Sequence, residues 1–322
     1  MVERITLCIC TYNRYDVLPK AIDSALAQTL PQDQYRILVV DNSPDHERAE
    51  AYGAPLRDGR FFDYRIERTP GLSNARNVGA RECGTDFIAY MDDDAIAYPH
   101  WLERIVEAFD RFGSNTAVVG GRVEPIWDVP RPSWLGDRML GYVSVVNWGG
   151  ETRIAKPQEW LAGTNIAFRT QTVLDSGGFD VKLGRTGGGS TLLSNEEIMI
   201  VNYLREKGMD AVYAPEAAVR HLVERKRVTQ TWFRRRVVWQ AVSDYTAHPK
   251  EALEIARKGW DWALDYFFRL PPRERTIRGL YYDTDSSELL QRQLDTLYTV
   301  TVMQLSGFED MSSLERGDVA GG

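Results

Sequence analysis

Three consecutive carboxylates, Asp92, Asp93 and Asp94, follow the apolar run Phe87-Ile88-Ala89-Tyr90-Met91. Adjacent acids repel one another at neutral pH, and packing gives no reason to collect them. A hard divalent cation such as Mg2+ or Mn2+ does, because it takes carboxylate oxygens and retains phosphate and water ligands. The apolar run reads as a strand buried inside a sheet. In open α/β sheets ligands bind beyond the carboxyl ends of the strands, where this triplet falls. A solvated acidic turn is the competing reading. Further along, Glu196 and Glu197 open a helix, where the dipole favours acids whether or not they act. His221, one of four histidines, closes a strand as either a core residue or a ligand.

The elements that would carry these groups alternate. A first strand over residues 4–10 meets Thr11-Tyr12-Asn13-Arg14, polar groups on a sharp strand-to-helix connection that can offer N–H and hydroxyl donors to a ligand. Val17, Leu18, Ala21, Ile22, Ala25 and Leu26 then share one helical face. A second strand, 35–40, ends on Asp41-Asn42-Ser43-Pro44. Asp41 could accept hydrogen bonds from a base or ribose, or could be a turn residue. This β-α-β pattern with polar strand ends is that of a parallel nucleotide-binding sheet. Residues 45–60 read as a connecting excursion and 61–66 as a third strand. Ser73 or Asn74 is placed to cap a helix running through Arg81. Arg76 on that helix can grip a phosphate or carboxylate in a forked geometry, or make a surface ion pair. After the acidic triplet, Trp101, Ile105, Ala108, Phe109 and Phe112 form a helical stripe that Gly113 ends.

Residues 116–125 and 160–169 read as strands, and the irregular stretch between them is long enough to suggest function. The glycine-rich segment 184–189 lacks the Gly-Lys-Ser/Thr ending of a phosphate loop; a mobile lid or a plain linker remains. A helix from Ser194 to near Gly208 turns Ile198, Val201 and Leu204 inward, and 211–220 is a last strand. From Arg220 to Arg236 seven Lys/Arg residues face one Glu, a reversal of the chain's acidity that suits an anionic substrate, a membrane surface or a solvated helix face. The remainder reads as helices, with one stripe at Leu253, Ala256, Trp260, Ala263 and Phe267 and another at Leu290, Leu294, Leu297 and Thr301, and a disordered tail from Glu315.

A net charge of −7 argues against a general nucleic-acid binder, and no apolar run approaches the ~18–20 residues needed to span a bilayer. The N-terminus has no signal-peptide architecture, and three cysteines suit buried thiols in a reducing compartment. The expectation is a cytoplasmic protein, with 220–236 a candidate for peripheral contact with the inner face of a membrane.

Taken together, Thr11-Tyr12-Asn13-Arg14, Val40-Asp41-Asn42-Ser43, Gly71-Leu72-Ser73-Asn74-Ala75-Arg76-Asn77, Asp92-Asp93-Asp94, Gly178-Phe179-Asp180, Asn195-Glu196-Glu197 and His221 occur in an order that resembles the family-two nucleotide-sugar glycosyltransferases of GT-A fold. The resemblance covers about residues 4–225. It implies an α/β fold with a mostly parallel sheet flanked by helices, a catalytic domain at 1–225 and a helical C-terminal extension at 226–322. It also implies a metal-dependent inverting transfer from a nucleoside-diphosphate sugar to a sugar, glycan or lipid-linked acceptor. Carried over residue by residue, Thr11, Tyr12, Asn13, Arg14, Asp41, Asn74, Arg76, Asp92 and Asp93 fall on the nucleotide side. Thr11 and Asp41 would meet base and ribose, Arg76 the base or diphosphate, and Asp92 the ribose. Asp94 would ligate Mg2+ or Mn2+, and His221 matches a position that sometimes adds a ligand. The family usually has Glu-Asp where this chain has Glu196-Glu197, and its second acid is the base; Glu197 is one methylene longer. The rival readings are a sugar-phosphate nucleotidyltransferase, which normally has an N-terminal glycine- and basic-rich phosphate loop that this chain lacks, and a non-catalytic nucleotide- or carbohydrate-binding protein of the same fold.

Overall fold

The computed structural model describes residues 3–59, 61–185, 187, 191–276 and 281–317, with the side chains of 308–317 outside the description. The chain divides into two compact units, the first comprising 1–126, 144–190 and 196–223, the second 127–143, 191–195 and 224–322.

In the first unit the elements run β1 (Ile5–Thr11), α1 (Leu18–Leu26), β2 (Tyr35–Asp41), α2 (His46–Gly53), β3 (Phe62–Ile66), α3 (Leu72–Glu82), β4 (Phe87–Asp92), β5 (Ala95–Ala97), α4 (Trp101–Phe112) and β6 (Thr116–Trp127). After the long connection come β7 (Arg153–Ile154), β8 (Asn165–Arg169), α5 (Thr170–Asp175), α6 (Glu196–Glu206) and β9 (Asp210–Val223). Every residue of β1 is buried, as expected of a strand covered on both faces. Beside it, α1 buries Leu18, Ala21, Ile22 and Ala25. The α4 stripe packs inward, and Gly113, at φ +82°, ends the helix as its sequence predicts.

The described strands form a nine-stranded sheet in the order β3-β2-β1-β4-β8-β6-β9-β5, with β7 paired to β9. Pairing is parallel from β3 to β4. It is antiparallel for β4–β8, β6–β8, β5–β9 and β7–β9. This mixed α/β sheet flanked by helices is consistent with the GT-A fold. Its curl follows from one short connection. The two residues Asp93 and Asp94 join β4 to β5, yet these strands stand four places apart in the sheet order. The three peptide steps from Asp92 to Ala95 reach at most about 11 Å. A flat sheet would set β4 and β5 about 19 Å apart. The sheet must therefore roll until the two strands meet.

Several local expectations are corrected. Residues 46–53, read as a connection, form α2: its buried positions are only Ala49 and Gly53, too few for an apolar rhythm, and its signal is Asp45, whose side chain accepts from Arg48 N. The N-terminus of α3 is not capped by Ser73 or Asn74. Gly71 takes the cap position at φ +134°, its N–H donating to Asn42 Oδ1 at 2.6 Å, while Ser73 donates to the Leu183 carbonyl and Asn74 to that of Pro70. The strand expected over 160–169 begins at Asn165, because Asn165 N closes a turn onto Ala162 O. In α6, Ile200 rather than Ile198 joins Val201 and Leu204 in the core. The last strand runs on to Val223, so His221 lies within it. Trp148 and Trp160 from the irregular stretch pack against the core, joined by a hydrogen bond from Trp148 Nε1 to Trp160 O. Cys8, Cys10 and Cys83 are free and buried.

The second unit is built on α7 (Gln230–Ala247), α8 (Pro249–Arg269) and α9 (Ser287–Gly317). Here the basic run is not one surface. Arg234 is buried and donates to Gln293, Asp283, Gln230 and the Tyr282 carbonyl. Arg227 is buried beside Glu224, and Arg236 donates to Ser194 and Gln240. Arg225, Lys226 and Arg235 are exposed. The expected stripes on α8 and α9 are buried at Ala256, Ala263, Leu290, Leu294 and Leu297. The helix α9 reaches Gly317, so the expected tail does not begin at Glu315, and residues 318–322 lie outside the described residues. Among the described residues no helix is long and apolar enough to cross a membrane.

Candidate active site

The acids at the end of β4 sit in a ring of partners from β1, β9 and the loop after β1. Thr11 Oγ1 donates to Asp93 Oδ2 at 2.7 Å. Arg14 lies between the next two acids, its Nε 3.5 Å from Asp93 and its Nη1 3.1 Å from Asp94. His221 Nε2 stands 3.2 Å from Asp94 Oδ1, both side chains being almost wholly buried. The pairing of Ala95 with His221 fixes that approach, and Leu222 N donates to the Asp94 carbonyl. Burial first, and then the charge of Asp94, push the Asp93 carboxyl up to about 8 against the pull of Arg14 and Thr11. So much negative charge in so little water calls for a counter-ion beyond Arg14.

Asp92, Asp94 and His221 can each offer one ligand atom with all three atoms within 4.8 Å of one another. Two carboxylate oxygens and an imidazole nitrogen are a donor set that suits Mn2+ or Mg2+ with phosphate and water completing the shell. His221 Nδ1 is buried with no partner among the described residues. The residues present therefore fit a divalent cation, with Asp92 added to the two ligands expected from the sequence.

A second acid group lies beside the first. Arg76, 3% exposed, places Nη1 2.9 Å from Glu196 Oε1 and Nη2 3.5 Å from Asp92 Oδ1. One guanidinium thus joins the acid at the end of β4 to the first acid of α6. Its Cζ lies over two aromatic rings, 5.6 Å from the Phe179 centroid and 6.0 Å from that of Tyr90. Gly163 is required here, since a Cβ on it would stand 2.5 Å from Arg76 Nη2. Burial, then the neighbouring Glu197 charge, raise the Glu196 carboxyl to about 7, with Arg76 opposing. Glu197 is held differently: Oε1 accepts from Gly163 N at 3.1 Å, and Oε2 has no partner among the described residues.

The remaining expected residues divide. Asn13 adopts φ +55° and donates its N–H to Ser43 Oγ. Tyr12 presses on the glycine-rich segment: a Cβ on Gly187 would come within 2.4 Å of its hydroxyl. Of that segment, expected as a lid, 186, 188 and 189 lie outside the described residues; Arg185 O accepts from Leu72 N. Asn74 is half-buried and donates to Pro70 O. Asp41 is fully buried, with Oδ1 accepting from Ser43 N and Oγ and Oδ2 from the Tyr15 and Tyr64 hydroxyls. Burial drives the Tyr15 hydroxyl up to about 12 and that of Tyr64 higher. Asp41 thus already accepts a hydrogen bond from four protein donors, which organise the end of β2. Sequence reasoning missed Gly163 and the two tyrosines. The close backbone approach that makes Gly163 necessary depends on a side chain 87 positions earlier, Arg76, and leaves no local trace.

The family described as Glycosyl transferase family 2 matches residues 6–169. The chain is 27% identical over 243 residues to the glucosyl-dolichyl phosphate glucuronosyltransferase of Haloferax volcanii, covering 74% of this chain and 76% of that protein. It is 27% identical over 235 residues to the succinoglycan biosynthesis protein ExoM of Rhizobium meliloti, covering 72% of this chain and 71% of that protein.

Proposed function

The chain belongs to glycosyl transferase family 2, and we propose that it moves a sugar from a nucleoside-diphosphate donor to an acceptor hydroxyl, inverting the anomeric carbon. That it is a glycosyltransferase follows from the family and its relatives. The finer reading is carried by one observation: Glu197 keeps a carboxylate oxygen without a partner among the described residues while its other oxygen is fixed by Gly163 N, beside the Arg76 bridge to Asp92.

Glu197 Oε2 accepts the proton of the acceptor hydroxyl as that oxygen attacks. Arg76 holds Glu196 and Asp92 in place, so the residue beside the base and one donor-side acid share one support. Thr11 and Arg14 orient Asp93 and Asp94. Mg2+ or Mn2+ held by Asp92, Asp94 and His221 would supply the positive charge that makes a nucleoside diphosphate a good leaving group. A screen of UDP, GDP and dTDP, each with Mn2+, Mg2+ or EDTA, tests the donor half-site. One nucleotide should raise Tm only with a cation, by an amount equivalent to about 2.7 kcal/mol at a hundredfold excess over Kd, and Asp94→Ala should remove the shift. An equal shift in EDTA, or one retained in Asp94→Ala, sinks the metal assignment.

The acceptor class we favour is a lipid-linked glycan, since one relative is named for a dolichyl phosphate substrate. Exposed Arg225, Lys226 and Arg235 then serve peripheral contact with an anionic membrane. The protein should cosediment with phosphatidylserine vesicles at low salt and lose about tenfold in affinity when these three cations become serine, at about 1 kcal/mol or less each. Undiminished binding by the triple variant would remove this stretch from the interface.

A further inference from the structure

The helix that carries Glu197 is tied at both of its ends to the stretch before β8. In the first turn of α6, Glu197 Oε1 accepts from Gly163 N at 3.1 Å. In its last turn, Arg205 Nη1 donates to the Pro157 carbonyl at 3.2 Å, and Nη2 donates to those of Lys156 and Glu159 at 3.2 and 3.1 Å. All of these residues belong to the first unit. Eight residues of helix set the two attachments about 12 Å apart along the axis. One hydrogen bond alone would let the helix pivot about Gly163. A second attachment at that distance fixes the direction of the axis.

The stretch between the attachments is itself held at each step. Glu159 is buried and accepts from Arg153 Nη1 and Nη2 at 2.6 and 2.7 Å and from Lys156 N at 2.8 Å. The Arg153 bonds, against burial, draw its carboxyl down to about 2, so this knot keeps its charge at neutral pH. Trp160 O accepts from Trp148 Nε1 at 2.8 Å, and Ala162 O accepts from Asn165 N at 2.8 Å. Leu161 lies so close to β6 that a Cβ on Gly120 would stand 2.8 Å from its own. Residues 159–165 therefore move as one body, and what displaces Glu159 displaces Gly163 N.

We infer that Arg205 is a positioning residue for Glu197: its grip on three carbonyls at 156–159 fixes the body that carries Gly163 N relative to α6, a role that rests on the reading of Glu197 as the base. Without the grip the base is held at one point only. A base misplaced by about 1 Å can cost up to ~10²-fold, so the loss falls on kcat rather than on donor KM.

Three variants of the full-length protein test the grip. Arg205→Met keeps an unbranched stem and removes the donors. Arg205→Lys keeps the charge and can reach one carbonyl. Lys207→Met is the control, removing a neighbouring cation whose ammonium lies over the Tyr203 ring. Amide exchange is read at Gly163 without ligand, and turnover with the productive donor from a panel of UDP-, GDP- and dTDP-hexoses. In Arg205→Met, exchange at Gly163 should rise about tenfold while β1 is unchanged, and kcat should fall about tenfold with donor KM within about twofold. Arg205→Lys should fall between Arg205→Met and wild type in both readouts, and Lys207→Met should match wild type. Gly163 exchange within about twofold of wild type in Arg205→Met overturns the grip. A fall in kcat matched by faster exchange in β1, or by an equal rise in donor KM, overturns the positioning role and leaves Arg205 a general stabiliser. If Glu197→Gln abolishes turnover while Arg205→Met does not impair it, the positioning role alone falls. If Glu197→Gln turns over normally, the base assignment falls and the positioning role with it.

Discussion

Glu197→Gln is expected to lower kcat by about 10²–10⁴-fold, the usual contribution of a positioned general base, with donor KM and Tm close to wild type. Glutamine keeps the carbonyl oxygen that accepts from Gly163 N, so the side chain remains in place. What changes is the second oxygen, which has no partner among the described residues and becomes an amide nitrogen unable to take a proton. The substitution also relieves its neighbour. The Glu197 charge is the second cause, after burial, of the raised Glu196 carboxyl, so Glu196 should ionise at lower pH in the variant. Steady-state kinetics decide the matter: a kcat within threefold of wild type would transfer the base role to Glu196, and Glu196→Gln would then be the inactive protein.

Arg76→Met should be the most destabilising single change in the site, at about 3–5 kcal/mol, because it leaves Glu196 buried without its counter-charge. The pair is nearly solvent-free, with side chains 3% and 5% exposed. The pH dependence has a definite sign. Glu196 already titrates at about 7 in the folded chain, and losing the guanidinium moves it higher. A carboxyl whose folded pKa exceeds its unfolded value contributes stability at low pH that disappears as pH rises through the folded value. The deficit of Arg76→Met relative to wild type should therefore be flat below about pH 6 and grow as pH rises through about 7 and beyond in urea titrations. Adding Glu196→Gln should recover much of the loss, since neighbours that share a buried charge pair are not additive. A deficit independent of pH, and additive with Glu196→Gln, would show that Arg76 acts by packing alone.

The acids were legible because each ends or opens an element whose apolar rhythm is plain: β4 runs into Asp92, and α6 starts at Glu196. The parallel half of the fold followed from alternating strands and helices. The antiparallel half did not, because β8 reaches β4 only after more than seventy intervening residues whose path no local pattern records. Charge was the least transparent feature. Arg76 and Arg234 look like surface arginines in sequence and are both buried, each satisfied by partners from distant segments. Asn195 gave a family motif its first letter but not its reason, which lies forty-five and more residues away in Gln240 and Asp244.

The two-residue link between β4 and β5 has a consequence for how this protein can diversify. Asp93 and Asp94 close the roll of the sheet, and Asp94 also belongs to the candidate cation site, so architecture and chemistry would be written in the same codons. An insertion there would release β5 from its register with His221 and scatter the ligand set in one event. Changes in length elsewhere, as in 127–152, leave the clasp intact. Such a clasp is inherited whole or lost whole.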